Sequence, residues 1–215
     1  MLPGPFHEIE CLAQAYDVAV ASAHEADVRI SKSSTRVADF VNRGPEFAVL
    51  YLFLPLLEAC CRIIGGPFKL SSMHARTVRP SSPAQELHVD AQWETADWPL
   101  VGFILMIDEF RTDNGATRFV PGSHRRSSAP KDLKPSEPQA DHRSQVLACG
   151  PAGSLIIFNG STWHGHSANI SGKPRRSLQG AFIPRGGRTG TDFASRMLPE
   201  MRACLSPLAR YVLQI

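Results

Sequence analysis

The sequence predicts a mainly β protein, a sandwich or barrel with flanking α-helices. Beyond residue 66 the apolar segments are short and separated by turn residues, whereas the first 66 residues carry longer helix-like runs. The 215 residues, 43% hydrophobic with 17 prolines and 16 glycines, suffice for one buried domain with many turns. We therefore expect a single domain over 1–215, with a mainly helical part over 1–66, a β core over 67–190 and a helical tail over 191–215.

In chain order, residues 6–26 mix Ala, Leu, Val and Ile with charged positions as a helix does, and 47–64 form a second helix interrupted at Pro55. Gly65, Gly66 and Pro67 end the helical texture. Strands are expected over 86–93, 100–110, 116–120, 145–148, 154–158 and 176–183, with a further stretch at 73–78. Three prolines mark 127–141 as a long loop, a candidate lid, and 192–215 is loosely helical and packs back on the core.

Charge and cysteine content narrow the partners. A net charge of +3 with scattered basic residues gives no nucleic-acid footprint. The longest apolar run, 47–57, contains Pro55 and is well short of the roughly 20 residues a membrane span needs. Five cysteines, an odd number with no CxxC spacing, argue against a disulfide framework, and residues 1–10 show no basic segment followed by an apolar stretch, so no secretion signal is expected. The expected compartment is a reducing cytoplasm, and the expected partner is a small-molecule substrate, with no nucleic acid and no membrane. The sequence assigns no oligomeric state.

Three segments carry chemistry. In a strand over 86–93, Glu86, His88, Asp90 and Gln92 share one face, and an imidazole and a carboxylate two residues apart can converge on one divalent ion. An H-x-D arises by chance in roughly a third of chains of this composition, and read alone it is also what a solvated strand face looks like. The apolar segment 154–158 leads to His164 and His166, either of which supplies the second imidazole of a two-histidine, one-carboxylate iron(II) site. Beyond a turn, Arg175, Ser177, Gln179 and Ala181 share one face of a strand and Arg176 points the other way. A guanidinium inside a small barrel calls for an anionic guest such as a dicarboxylate. Arg76, on the stretch before H-x-D, and Gln92 are candidate substrate contacts.

Taken as an ordered set, these residues resemble the phytanoyl-CoA dioxygenase family of iron(II)- and 2-oxoglutarate-dependent oxygenases. The matching features are His88 and Asp90, the turn Asn114 to His124, the segment Trp163 to Asn169, and Pro174 with Arg175, together covering about residues 68–185. The family places its arginine eleven residues after its distal histidine, which selects His164 over His166 and Arg175 over Arg176. The resemblance implies a double-stranded β-helix, a jelly-roll or cupin-like core. It further implies iron(II) on His88, Asp90 and His164, 2-oxoglutarate chelated to the iron with its far carboxylate on Arg175, and O2 at the remaining position. Ile104 falls where relatives line the cosubstrate pocket, and His166 where some use a small polar side chain. Asp90 favours hydroxylation over halogenation, since related halogenases have a small residue there. Two other readings stand beside this one: a non-catalytic jelly roll that binds a metal or ligand, and a cupin-like metal-dependent hydrolase or isomerase.

Overall fold

The computed structural model describes residues 1–6, 8–91, 100–125 and 141–215. The chain runs α1 (Ile9–Ala21), β1 (Val28–Ile30), β2 (Ser34–Val37), α2 (Ala48–Tyr51), α3 (Leu54–Ile64), β3 (Phe68–Val78), β4 (Val101–Met106), β5 (Thr117–Phe119), β6 (Val146–Ala148), β7 (Leu155–Asn159), β8 (His164–His166), β9 (Arg175–Pro184), α4 (Phe193–Arg196), α5 (Pro199–Ala203) and α6 (Pro207–Leu213). The strands form a six-stranded sheet in the order β1-β2-β3-β9-β4-β7 and a three-stranded sheet in the order β6-β5-β8. Every pairing between these strands is antiparallel. The architecture is a double-stranded β-helix with flanking helices.

Period-two alternation divides the large sheet into two faces. Met73 and Ala75 on β3, Leu178 and Phe182 on β9, and Phe103 and Leu105 on β4 join Tyr16, Leu56 and Val212 from the helices in one hydrophobic core. The intervening positions face the small sheet: Ser72, His74 and Arg76 on β3, Gln179 and Ala181 on β9, and Ile104 on β4. A register shift between Leu70 and Ser72 adds Ser71 and sets this alternation for the rest of β3. Arg176 emerges on the outer face, bound by Asp108 and Asp17 at 2.7 Å each.

Several local readings change. The helix expected over 47–64 is two helices, broken at Leu52 and Phe53; Pro55 lies in the first turn of α3, where its missing N–H has no intrahelical acceptor to satisfy. Residues 1–66 also contribute β1 and β2 to the sheet edge. Segment 86–91 is not a ladder strand. It touches β8 through a bridge in which His88 N donates to His164 O and His164 N to His88 O, at 2.9 Å each, while Leu87 packs with Val120 and Trp163. The turn at Asn114 needs a left-handed residue, which Gly115 supplies at φ +81°. Among the described residues, no single helix is long and apolar enough to cross a membrane.

The approach of segment 85–88 to β8 depends on Gly165. A Cβ there would stand 3.0 Å from Glu86 O and 3.1 Å from Gln85 O, and these are backbone atoms that a rotamer change cannot move. Gly165→Val is expected to lower the free energy of unfolding by about 1–3 kcal/mol in urea titrations. It should also separate His88 from His164, read as weaker metal binding; a variant as stable and as metal-avid as wild type would contradict this packing.

Candidate metal centre and its cavity

His88, Asp90 and His164 come together with their ligand atoms within 4.8 Å of one another. Both imidazoles are oriented by the backbone: His88 Nδ1 donates to Glu86 O at 3.1 Å and His164 Nδ1 to Thr162 O at 2.9 Å. Each Nε2 is thereby left as the free, lone-pair nitrogen, and both face Asp90, at 3.8 Å from Oδ1 and 3.5 Å from Oδ2. Asp90 is held by its own N–H, which donates to Gly160 O at 2.8 Å. Phe158 meets the His164 ring edge-on at 4.8 Å, and Phe119 stacks on it at 5.7 Å. Burial holds His164 neutral, lowering its pKa to about 4 against the pull of Asp90.

His166 lies two residues on, on the same face of β8, but apart from this group. Its Nδ1 donates to Ser167 O at 2.8 Å and its Nε2 accepts from Ser33 Oγ at 2.9 Å, so both nitrogens are engaged. Burial lowers its pKa to about 3. The contact with Ser33 fastens the β1–β2 turn to β8.

The triad opens into a cavity of about 230 Å³ whose wall includes Ile104, Thr117, Phe158, His166 and Gln179. Arg76 is on this wall, donating from Nη1 to Gln85 Oε1 at 2.8 Å, with Nε buried and unbonded. Arg175 is fully buried behind it. Its Nη2 donates to Gly115 O at 2.6 Å, its Nη1 to Ser177 Oγ at 3.1 Å, and its plane lies 4.0 Å over the Phe110 ring. Ser177 Oγ also accepts from Gln179 Nε2, at 3.2 Å, which links the buried guanidinium to the cavity wall. Arg175 has no carboxylate partner among the described residues, and its Nε is unbonded. Burial and the charge of Arg76 lower its pKa to about 9.

Gln92 and residues 127–140 of the expected lid lie outside the described residues. Sequence reasoning passed over Arg36, His74, Gln85, Thr117 and Phe158, all on the cavity wall. Two of these had a usable signal. His74 shares a strand face with Arg76, and Gln85 lies three residues before His88.

The depressed histidines have a stability consequence. The unfolded chain takes up their protons near pH 6.5, while the folded chain resists until about 4 at His164 and about 3 at His166. Their contribution is therefore complete above about pH 6.5 and is lost as pH falls, by at most about 1.4 kcal/mol per unit for each group. Thermal unfolding of metal-free protein between pH 7.5 and 4.5 should show this slope, and His166→Gln should flatten it. An unchanged slope in the variant would contradict a neutral, buried His166.

Comparisons with known proteins agree with this geometry. The family model for phytanoyl-CoA dioxygenase matches residues 8–177, so the match takes in α1 and the β1–β2 hairpin as well as the core. Dioxygenase trt7 of Aspergillus terreus is 29% identical over 167 residues, covering 72% of this chain and 56% of the relative. Dioxygenase cdmA of Talaromyces verruculosus is 34% identical over 131 residues, covering 57% and 42%. The chain thus spans about half the length of the curated relatives it matches. Among solved structures, the carbocyclase SnoK from nogalamycin biosynthesis, described as non-heme and alpha-ketoglutarate-dependent, superposes with a TM-score of 0.71 at 18% identity, covering 92% of this chain and 85% of that one. HygX from Streptomyces hygroscopicus, crystallised with nickel and 2-oxoglutarate, gives 0.67 at 17% identity over 86% and 82%. With its fold matched by these structures and four-fifths of its length matched by one family model, the chain belongs to the phytanoyl-CoA dioxygenase family.

Proposed function

We propose that this chain is an iron(II)- and 2-oxoglutarate-dependent dioxygenase that hydroxylates an unactivated C–H bond of a small organic molecule, with succinate and carbon dioxide as co-products. The observation that carries this reading is the convergence of two free Nε2 atoms and one carboxylate on a cavity, each imidazole already oriented through its Nδ1. Two neutral imidazoles and one carboxylate, with room left for other ligands, suit a non-haem iron(II) site. His88, Asp90 and His164 would hold the ion. When bound, iron with 2-oxoglutarate and O2 supplies the oxidising power, and the protein's tasks are positioning and exclusion of water.

The remaining residues divide those tasks. Arg175 suits the far carboxylate of the cosubstrate, because a buried cation bonded only to neutral acceptors, with Nε idle, gains a charge-assisted bond from an anion. Ile104 and Thr117 line the cavity beside the triad, one as an apolar and the other as a hydroxyl wall. His166, with both nitrogens engaged, shapes the cosubstrate side of the cavity and keeps the β1–β2 turn against it. Phe119 and Phe158 enclose His164 and keep bulk water from its ring.

Anaerobic addition of iron(II) and 2-oxoglutarate to metal-free protein is expected to produce the weak visible charge-transfer band of a chelated complex. Arg175→Gln should weaken 2-oxoglutarate binding by at least tenfold while retaining the metal, and Asp90→Ala should weaken metal binding itself by more than tenfold. Tight binding of zinc or manganese without any 2-oxoglutarate-dependent band would favour a hydrolase instead. Full turnover in Asp90→Ala would rule out the proposed ligand set.

A further inference from the structure

A buried positive charge is costly unless other groups take it up, and Arg175 meets this requirement without an anion. Its guanidinium is wholly buried, and among the described residues no carboxylate lies within ion-pair distance of it. Asp108, whose charge reaches it from a distance, is already bound to Arg176 at 2.7 Å. Gly115 O and Ser177 Oγ accept from two of its nitrogens, and both acceptors are neutral. The remaining contact is with a ring: the guanidinium carbon is 4.0 Å from the centroid of Phe110. Among the described residues two other guanidiniums lie over rings, but Arg43 also has Asp27 at 2.8 Å and Arg185 is partly open to solvent. Of the three, only at Arg175 does the ring stand in for a counter-ion.

Phe110 is held firmly in this place. It is 1% exposed, in the core cluster that also contains Ile104, Met106, Ala116 and Ile156. Its backbone exchanges two hydrogen bonds with Gly150, Phe110 N donating to Gly150 O at 2.9 Å and Gly150 N to Phe110 O at 3.0 Å. The peptides on either side are fixed by one side chain, since Asn114 Nδ2 donates to Glu109 O and Asn114 Oδ1 accepts from Arg111 N, at 2.8 Å each. The same turn continues into Gly115, whose carbonyl accepts from Arg175 Nη2. Residues 110–115 thus supply both the ring against the guanidinium's face and an acceptor in its plane. This division matters for a guest. A ring attracts the cation through its face and uses none of the N–H groups, which all lie in the guanidinium plane. A carboxylate partner would occupy those donors, and an incoming anion would have to displace it. With Phe110 in that role, Nε stays unbonded.

We propose that Phe110 is a positioning residue for 2-oxoglutarate. It holds Arg175 charged, flat against its ring and with in-plane donors free, so that the far carboxylate binds without displacing an internal counter-ion. Phe110 acts through Arg175, and the inference therefore rests on the reading of Arg175 as the cosubstrate's anchor.

The test is calorimetric titration of full-length protein, loaded with manganese(II) in the absence of O2, with 2-oxoglutarate and with 2-oxopentanoate. The second compound keeps the chelating oxygens and lacks the far carboxylate. Wild type should bind 2-oxoglutarate at least tenfold more tightly than 2-oxopentanoate. Phe110→Leu should reduce that preference fivefold or more while leaving 2-oxopentanoate affinity within twofold of wild type. A ring that merely filled the core would weaken both ligands alike. A shape-preserving replacement, 3,4,5-trifluorophenylalanine at position 110, weakens the negative potential of the ring's face and covers the case in which Phe110→Leu does not fold. Its effect on the melting temperature of ligand-free protein should be about 2–4 °C more destabilising when Arg175 is present than in Arg175→Met. An equal effect in the two backgrounds would overturn the proposal, as would an equal loss of both ligands in Phe110→Leu. If wild type shows no preference for 2-oxoglutarate, the reading of Arg175 falls and the inference with it. If wild type shows the preference and Phe110→Leu keeps it in full, the inference alone falls.

Discussion

Strand β9 is hydrogen-bonded on both sides, to β3 and to β4, and its two-residue alternation couples the hydrophobic core to the cavity. Leu178 and Phe182 are driven into the helix-covered core, and this leaves Arg175, Ser177 and Gln179 no choice but the opposite face. A slip of one residue would send a guanidinium into the core and a leucine into the cavity. The outer clamp of Arg176 on Asp108 and Asp17 penalises the same slip from the other side. Core packing, the buried arginine and the cavity wall are therefore consequences of one register.

The small sheet solves the complementary problem of bringing distant sequence to the metal centre. His164 sits on β8, yet its partners come from segment 85–90, which has no ladder of its own. That segment is fastened at discrete points: the paired His88–His164 backbone bonds, Asp90 N on Gly160 O, and Arg118 Nη2 on Gln85 O at 2.7 Å. Arg118 is fully buried and braced by Asp141 and Gln145, so it holds the segment from within the fold. A loop pinned at such points can place side chains as accurately as a strand can while tolerating the irregular path that H-x-D requires.

This explains how much could be read in the sequence. The β9 alternation was legible, because apolar and polar positions report directly on two different faces. The alternation over 86–91 was legible as a pattern and misleading as a strand: it reports that Leu87 is buried beside Val120 and Trp163, and burial of alternate residues does not require a ladder. His164 and His166 share a strand face, so no local pattern separates them; the difference lies in what is opposite, Asp90 and His88 for one and Ser33 for the other. Arg36 was illegible for a related reason. A four-residue strand in a mainly helical region has too little periodicity to be seen, and the opposition of Arg36 to Arg29 on β1 and Arg76 on β3 is a property of register between strands.

The location of the β1–β2 hairpin has a bearing on how such a fold changes its chemistry. Arg175 sits on β9, which is paired on both sides, and the triad sits on β8 and the segment 88–90 that backbone bonds fasten to β8 and Gly160. Arg29 and Arg36 sit towards the edge of the large sheet, on β1 and β2, with Arg36 at the cavity mouth, while Arg76 lies inward on β3. Edge strands carry few packing obligations, so residues there can change without disturbing the core. The structurally similar SnoN and SnoK, described as an epimerase and a carbocyclase, show one architecture serving different reactions. In this chain the Ser33–His166 bond ties the variable edge to the constrained centre. The hairpin thus borders the cavity mouth, while the geometry of the metal site stays with the strands that the core holds in place.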